Sequence, residues 1–302
     1  MVGPLTEMPK ASETTDKNVQ ANPLKKYYRQ PTIYIKLPSK GVFYDKDTFV
    51  PTETGEIGIF PMTARDEMTF KTPDALISGQ STVDVIESCV PNIKNAWKII
   101  NHDLDVILLA IRIATYGETM NISGVIPNTA ETIEHTLNLP SMLEQVVNIK
   151  ITDTFITKSG FEIKVEPMTY KAISETQISA FEQQKQYAAL STRTDIDDKA
   201  KGEQFAKNFR TLTEMNFDVV RRAILSLKTP DGSLVKDKSQ IAEFINNADR
   251  KIVDEIQKGL TANRSQAAFP PMKFKATEEQ IKKGAPVNYE MPLTFDAANF
   301  FV

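Results

Sequence analysis

The strongest constraint on this chain is a passage that occurs twice. Thr48–Thr63 reads TFVPTETGEIGIFPMT and Thr154–Thr169 reads TFITKSGFEIKVEPMT, equal in length and aligned without a gap. Thr48, Phe49, Glu56, Ile57, Pro61, Met62 and Thr63 recur as Thr154, Phe155, Glu162, Ile163, Pro167, Met168 and Thr169. A repeat of long period means one supersecondary unit used twice. Local chemistry predicts what that unit is. Phe49 and Val50 open a strand, and the polar stretch Thr52–Gly55 turns. Ile57 and Ile59 alternate with Glu56 and Gly58 at the period of a half-buried strand. Pro61 has no N–H and ends the ladder. Thr63 followed by Asp66 is an aspartate form of the capping box, which starts a helix. In the second copy Lys158-Ser159-Gly160 turns, Ile163 and Val165 alternate, Pro167 stops the strand, and Thr169 caps without a following acid. Each copy is therefore predicted to be a β-hairpin that hands the chain to a helix.

A second echo follows. Leu104–Ile111, LDVILLAI, resembles Phe217–Ile224, FDVVRRAI. The spacing from hairpin to helix differs between the copies, so the prediction is two diverged modules rather than a solenoid. The expected fold class is α+β, predominantly helical, with two related modules each begun by a β-hairpin ending in PMT. Residues 1–26 are expected to be a disordered N-terminal arm, because their polar composition cannot bury enough surface to offset ordering entropy. Residues 27–148 are the first module. Residues 149–302 are the second, with a C-terminal hairpin and an aromatic tail. Pro61, Met62, Thr63, Pro167, Met168 and Thr169 are the expected structural frame.

Other elements follow from periodicity. Ile33–Leu37 is a short strand, Pro38–Gly41 a turn, and Val42–Tyr44 its return. Thr72-Pro73-Asp74 opens a helix that Gly79 ends, and Val83–Val90 is another. Leu104–Thr115 is apolar nearly all round, so it is the buried helix of the first module, stopped by Gly117. Residues 121–139 form a looser hairpin around Pro127-Asn128, followed by a short helix from Pro140-Ser141. In the second module helices are expected over Ala172–Leu190, Phe205–Leu227 and Ser239–Leu260, with a charged loop over Ser191–Gly202 and a turn at Pro230-Asp231-Gly232. Met272–Ala276 pairs with Val287–Phe295. Phe295, Phe300 and Phe301 crowd the C-terminus. Burying one Phe gains ~1.5–3 kcal/mol, so they are expected to dock on the chain's own core or on a partner.

Little here resembles catalytic machinery. The net charge of -3 gives no electrostatic footprint for nucleic acid or an anionic membrane. No apolar run reaches the ~20 residues of a membrane span, and no apolar leader opens the chain. Cys89 is the only cysteine, which excludes an internal disulfide framework or a thiolate cluster; without a basic neighbour it reads as a small buried residue. His102 and His135 lack partners at metal-ligand spacing, and no GxSxG, P-loop or GxGxxG occurs. Asp195, Asp197 and Asp198 sit in the charged loop without the spacing of a calcium loop. No metal, no cofactor and no catalytic residue is expected. The rival enzyme reading would use Asp105 with Arg112, or the Asp195 loop. A polar arm, amphipathic helices and an aromatic terminus point instead to protein–protein binding.

At LPSKGVFY, IGIFPMTARDEMTFKTPDALISG, VIESCVPNIK and LLAIRIATYG the sequence resembles the baseplate hub assembly proteins of T4-like contractile-tailed bacteriophages. The likeness spans roughly Ile33–Val147, and the ending LTFDAANFF shares it. It implies a non-enzymatic protein that helps build the hub at the tail tip, assembled in the host cytoplasm and located in the virion tail baseplate. Partners would be other hub subunits or the tape-measure protein, with homo-oligomerisation left open. The alternative it implies is a transient assembly chaperone, acting on the tape-measure protein and absent from the finished particle. Some relatives place paired cysteines, like small zinc ribbons, where Val125–Glu134 and Phe274–Tyr289 stand here without any. A metal site is therefore not carried over.

Overall fold

The computed structural model describes residues 22–72, 78–149, 151–192, 198–265 and 271–291. Residues 1–21 of the expected arm, Pro73 and Asp74, Asp195 and Asp197, and Phe295, Phe300 and Phe301 lie outside the described residues. Residues 22–30 form a small unit of their own. Asn22 caps a 3-10 helix, Pro23–Tyr27, by accepting the Leu24 N–H at 3.0 Å.

From Pro31 onward the chain mixes helices with small antiparallel sheets. The first core surrounds α3 (Asn101–Tyr116). Its sequence offers apolar atoms on almost every side, so only the centre of a core satisfies it, and Val106, Leu109, Ala110 and Ile111 are fully buried. Against it pack α1 (Ala64–Phe70), α2 (Gln80–Cys89), α4 (Leu139–Val147) and a two-stranded sheet of β1 (Ile33–Lys36) and β2 (Glu56–Ile59). Gly117 ends α3 at φ 93, and its N–H donates to the Ile113 carbonyl at 3.0 Å. The hairpin β3 (Thr119–Val125) and β4 (Thr132–Asn138) follows, turning where Asn128 takes φ 61.

The second core lies under a four-stranded antiparallel sheet, order β5 (Thr154–Ile156), β6 (Glu162–Val165), β7 (Ile224–Lys228), β8 (Leu234–Val235). It joins Ile163, Val165, Ile224 and Leu227 to Ile241 and Ile245 of α7 (Lys238–Asn247) and to Ile256 and Leu260 of α8 (Arg250–Ser265). Between β6 and β7 run two long helices, α5 (Tyr170–Thr192) and α6 (Asp198–Ala223). A last hairpin, β9 (Met272–Lys275) and β10 (Asn288–Met291), brackets the short α9 (Glu278–Lys282). It packs Phe274, Ala276 and Tyr289 against Ile126 and Ile133. The two stretches noted for lacking cysteines thus meet in one apolar cluster.

Several expectations need correction. The first repeat is not a self-contained hairpin. Phe49 makes only an isolated bridge to Ile93, and β2 pairs with the upstream β1. Pro51 cannot donate to a ladder, whereas Ile33 and Ile35 lie opposite Ile59 and Ile57 and complete an apolar face. Nor do Val42–Tyr44 return as a strand. Lys40 and Gly41 are both left-handed, at φ 54 and 76, and swing the chain away so that Tyr44 reaches Asp103. In the second repeat β5 does pair with β6. The helix expected over Phe205–Leu227 stops at Ala223, and Ile224–Lys228 becomes β7, because the free edge of β6 offers it a ladder and a buried face. The helix expected over Ser239–Leu260 is two helices. Asp249 breaks it by accepting the Lys251 N–H at 2.7 Å and starting α8 afresh.

Candidate functional site

The two PMT segments seat at opposite ends of α3. At the C-terminal end, the Met62 N–H donates to Thr115 Oγ1 at 3.0 Å, and the Thr115 hydroxyl donates onward to the Ile111 carbonyl at 2.8 Å. Pro61 delivers the chain into this contact, and Thr63 then caps α1. It accepts the Asp66 N–H at 3.2 Å while the Asp66 carboxylate accepts the Thr63 N–H at 2.8 Å. At the N-terminal end, the Asn101 N–H donates to the Met168 carbonyl at 2.9 Å, the Tyr170 N–H donates to the Ile99 carbonyl at 2.7 Å, and Thr169 bridges to Ile100. Tyr170 stacks on Trp97 at 5.4 Å.

The LPSKG turn is locked to the same end of α3. The Asp103 carboxylate accepts the Ser39 N–H at 2.9 Å and both the Ser39 and Tyr44 hydroxyls. Asp103 has no exposed surface. Burial pushes its carboxyl above the usual range, and the Ser39 and Tyr44 hydrogen bonds oppose that shift. Burial, then the charge of Asp103, pushes the Tyr44 phenol up.

Beneath the second PMT segment lies a cavity of about 220 Å³, lined among others by His102, Pro167, Met168, Leu260, Asn263 and Arg264. Pro167, Met168, Ala223 and Arg264 also border a larger groove of about 680 Å³ between α5 and α6. Met168, Leu212, Met215 and Val219 give that groove an apolar floor, and Glu175, Asp218 and Arg222 give it charge. Inside, Arg264 has one guanidinium nitrogen buried with no hydrogen-bond partner, and so does His102 at Nδ1. Burial pushes both pKa values down. Beyond the groove α5 and α6 leave the core. Of the described side chains from Ala180 to Ala189 only Gln183 is less than exposed, and Phe181 and Phe209 are 57% and 71% exposed.

The residues of the enzyme reading do not converge. Asp105 and Arg112 lie two turns apart on α3 and form no ion pair with each other among the described residues. Arg112 covers the Tyr116 ring at 4.4 Å, and burial pushes the Asp105 carboxyl up to about 7. His135 packs edge-on to Phe274 at 5.2 Å. Among the described residues no cluster of His, Cys, Asp or Glu is placed to hold a metal, and no helix is long and apolar enough to cross a membrane.

Arg264 was not singled out by the sequence reading. The signal was present: Val253, Ile256, Leu260 and Asn263 form the buried stripe of α8, and Arg264 follows Leu260 by four residues, a cation on an apolar face. The cavity itself needs β6, α3 and α8 brought together, which no local pattern announces.

Residues 30–280 fit the family model described as T4 bacteriophage base plate protein. Neither a curated protein nor a solved structure matches the chain.

Proposed function

The chain belongs to the T4 bacteriophage base plate protein family, and on that premise we propose that it is a subunit of the baseplate hub that acts by binding other proteins and not by catalysis. Family membership makes it a structural component of the phage tail baseplate with protein partners there. The finer assignment, to the hub and to partners among hub subunits and the tape-measure protein, follows the motif likeness described above, as does assembly in the host cytoplasm.

One observation carries the binding reading. The α5–α6 pair extends past the core clusters with Phe181 and Phe209 in solvent. Aromatic side chains exposed on a pair of helices that leave the core are what a protein interface covers.

The test is quantitative mass spectrometry of purified virions, scaled to a tail protein of known copy number. A fixed number of copies per particle supports a hub subunit. Absence from virions, with the protein present in infected-cell lysate, replaces this reading with that of a transient chaperone. Phe181→Asp with Phe209→Asp is expected to lower incorporation while leaving the melting temperature near wild type, since neither side chain belongs to a core cluster.

A further inference from the structure

The cavity under the second PMT segment is lined by Arg264, one of whose guanidinium nitrogens is buried without a hydrogen-bond partner among the described residues. A buried charged donor left unmade is among the more expensive features a fold can hold. The acids nearby are committed elsewhere or stay in water. Asp218 pairs with Arg222 at 2.6 Å and Arg221 at 3.6 Å, and Glu175 pairs with Lys171 at 3.9 Å. Glu166, on the same wall, is exposed and forms no ion pair with Arg264. His102 lines the same cavity, is only 7% exposed, and has its buried Nδ1 unpartnered. A neutral imidazole can carry its proton on Nδ1 and donate from there. His102 also sits in the first turn of α3, beside Asp103, whose carboxylate is taken up by Ser39 and Tyr44.

Among the described residues the site therefore offers two buried nitrogens without partners, and the carboxylate on its wall, Glu166, is exposed to water and not paired with Arg264. A carboxylate fits: Arg pairs with it through a planar fork, and the His donor adds direction. The adjoining groove states what the carboxylate is attached to. Its Met168, Met215, Leu212 and Val219 surface is apolar and, through the methionines, adaptable. A free small acid would leave that surface wet, whereas a polypeptide segment would cover it.

We propose that this cleft is the docking site for another baseplate protein, which places an Asp or Glu side chain between Arg264 and His102 and lays the apolar stretch beside it into the groove between α5 and α6. This rests on the assembly role proposed above and names the chemistry of the partner.

The test uses full-length Arg264→Lys expressed during infection. Lysine keeps the charge and presents an amine that a carbodiimide couples only to a carboxylate in contact with it. The expected result is a linked peptide pair joining residue 264 to one Asp or Glu of another baseplate protein. Arg264→Glu is expected to cut incorporation into baseplates by about tenfold, the scale of one lost charge-assisted contact, with a melting temperature close to wild type. Should Arg264→Glu melt early, Arg264→Gln replaces it, with the same loss expected. The proposal is overturned if residue 264 stays unlinked, if it links only to Glu166, Glu175 or Asp218 of its own chain, if it links to a second copy, or if the charge-reversed protein is incorporated normally. The two readings fail differently. Wild-type protein missing from baseplates and their precursors removes the assembly role and this site with it. Normal incorporation with residue 264 unlinked removes the site alone.

Discussion

Phe49 and Phe155 hold matched positions in the two repeats, and each rests on a glycine, but the glycines come from different parts of the chain. Phe49 lies over Gly41 in the LPSKG turn, where a Cβ would come within 2.8 Å of the ring. Phe155 lies over Gly259 inside α8, where a Cβ would come within 2.1 Å. Two turns that do not align in the repeat show a like contrast. The Ser39 N–H and hydroxyl donate to buried Asp103, and the Ser159 N–H and hydroxyl donate to Glu255, each at 2.8 Å, near the surface. The helix echo does so too. Asp105 has apolar Leu108 and Leu109 where Asp218 has Arg221 and Arg222, so Asp105 is desolvated and Asp218 is paired. The matched Phe and Asp residues are kept, and what they face differs. Burial, not residue identity, sets how much each device contributes.

The sharpest break of this comparison is Asp103→Ala. It leaves three donors, two on Ser39 and one on Tyr44, without their acceptor, and is expected to cost about 3–5 kcal/mol in urea unfolding. Asp105→Asn acts in the opposite direction. The folded carboxyl, at about 7 against an ordinary 3.8, holds its proton longer than the unfolded chain does. Its contribution is therefore complete below pH ~3.8, falls as pH rises, and is lost above about 7. At pH 8 the asparagine variant should be more stable by roughly 4 kcal/mol, and a pH series of melting temperatures should lose its downward slope between pH 4 and 7. Asp218→Asn should show no such gain, since it only removes an exposed pair worth ~0–1 kcal/mol.

Glycine substitutions probe the two Phe seats. Gly41→Ala meets the Phe49 ring and a left-handed backbone at φ 76, and is expected to cost about 2 kcal/mol. Gly259→Ala displaces the half-buried Phe155 but gains helix propensity, so a net loss of about 1 kcal/mol is expected. A larger loss at Gly259 than at Gly41, read by calorimetry, would reverse the ranking of the two regions. Glu255→Ala is expected to have the smallest effect. Hydrogen bonds from the Ser159 hydroxyl and N–H hold its carboxyl below the usual range, so what it contributes is present at neutral pH and disappears as pH falls through that lowered value.

Much of the frame was legible because its causes are local. The apolar run of α3, its stop at Gly117, the Thr63–Asp66 capping box, the turn at Asn128 and the Met272–Met291 pairing all follow from short-range chemistry. The failures share a different cause. The partner of β2, the fate of Val42–Tyr44 and the switch from helix to strand at Ile224 were settled by elements distant in sequence. Strand propensity reports fit to a surface that other segments provide. The candidate cleft was least legible, because Arg264 and His102 acquire meaning only where α3, β6 and α8 meet.

A helix gripped at both ends by copies of one tripeptide also has a mechanical consequence. The Met62 and Met168 contacts make α3 a strut between the two cores. Loosening the second sheet unseats the N-terminus of the helix that fills the first core, so hydrogen exchange should report one cooperative opening rather than two. A pull on α5, which begins at the contact of the second PMT segment, travels into the first core along the axis of α3, with no slack linker to absorb it.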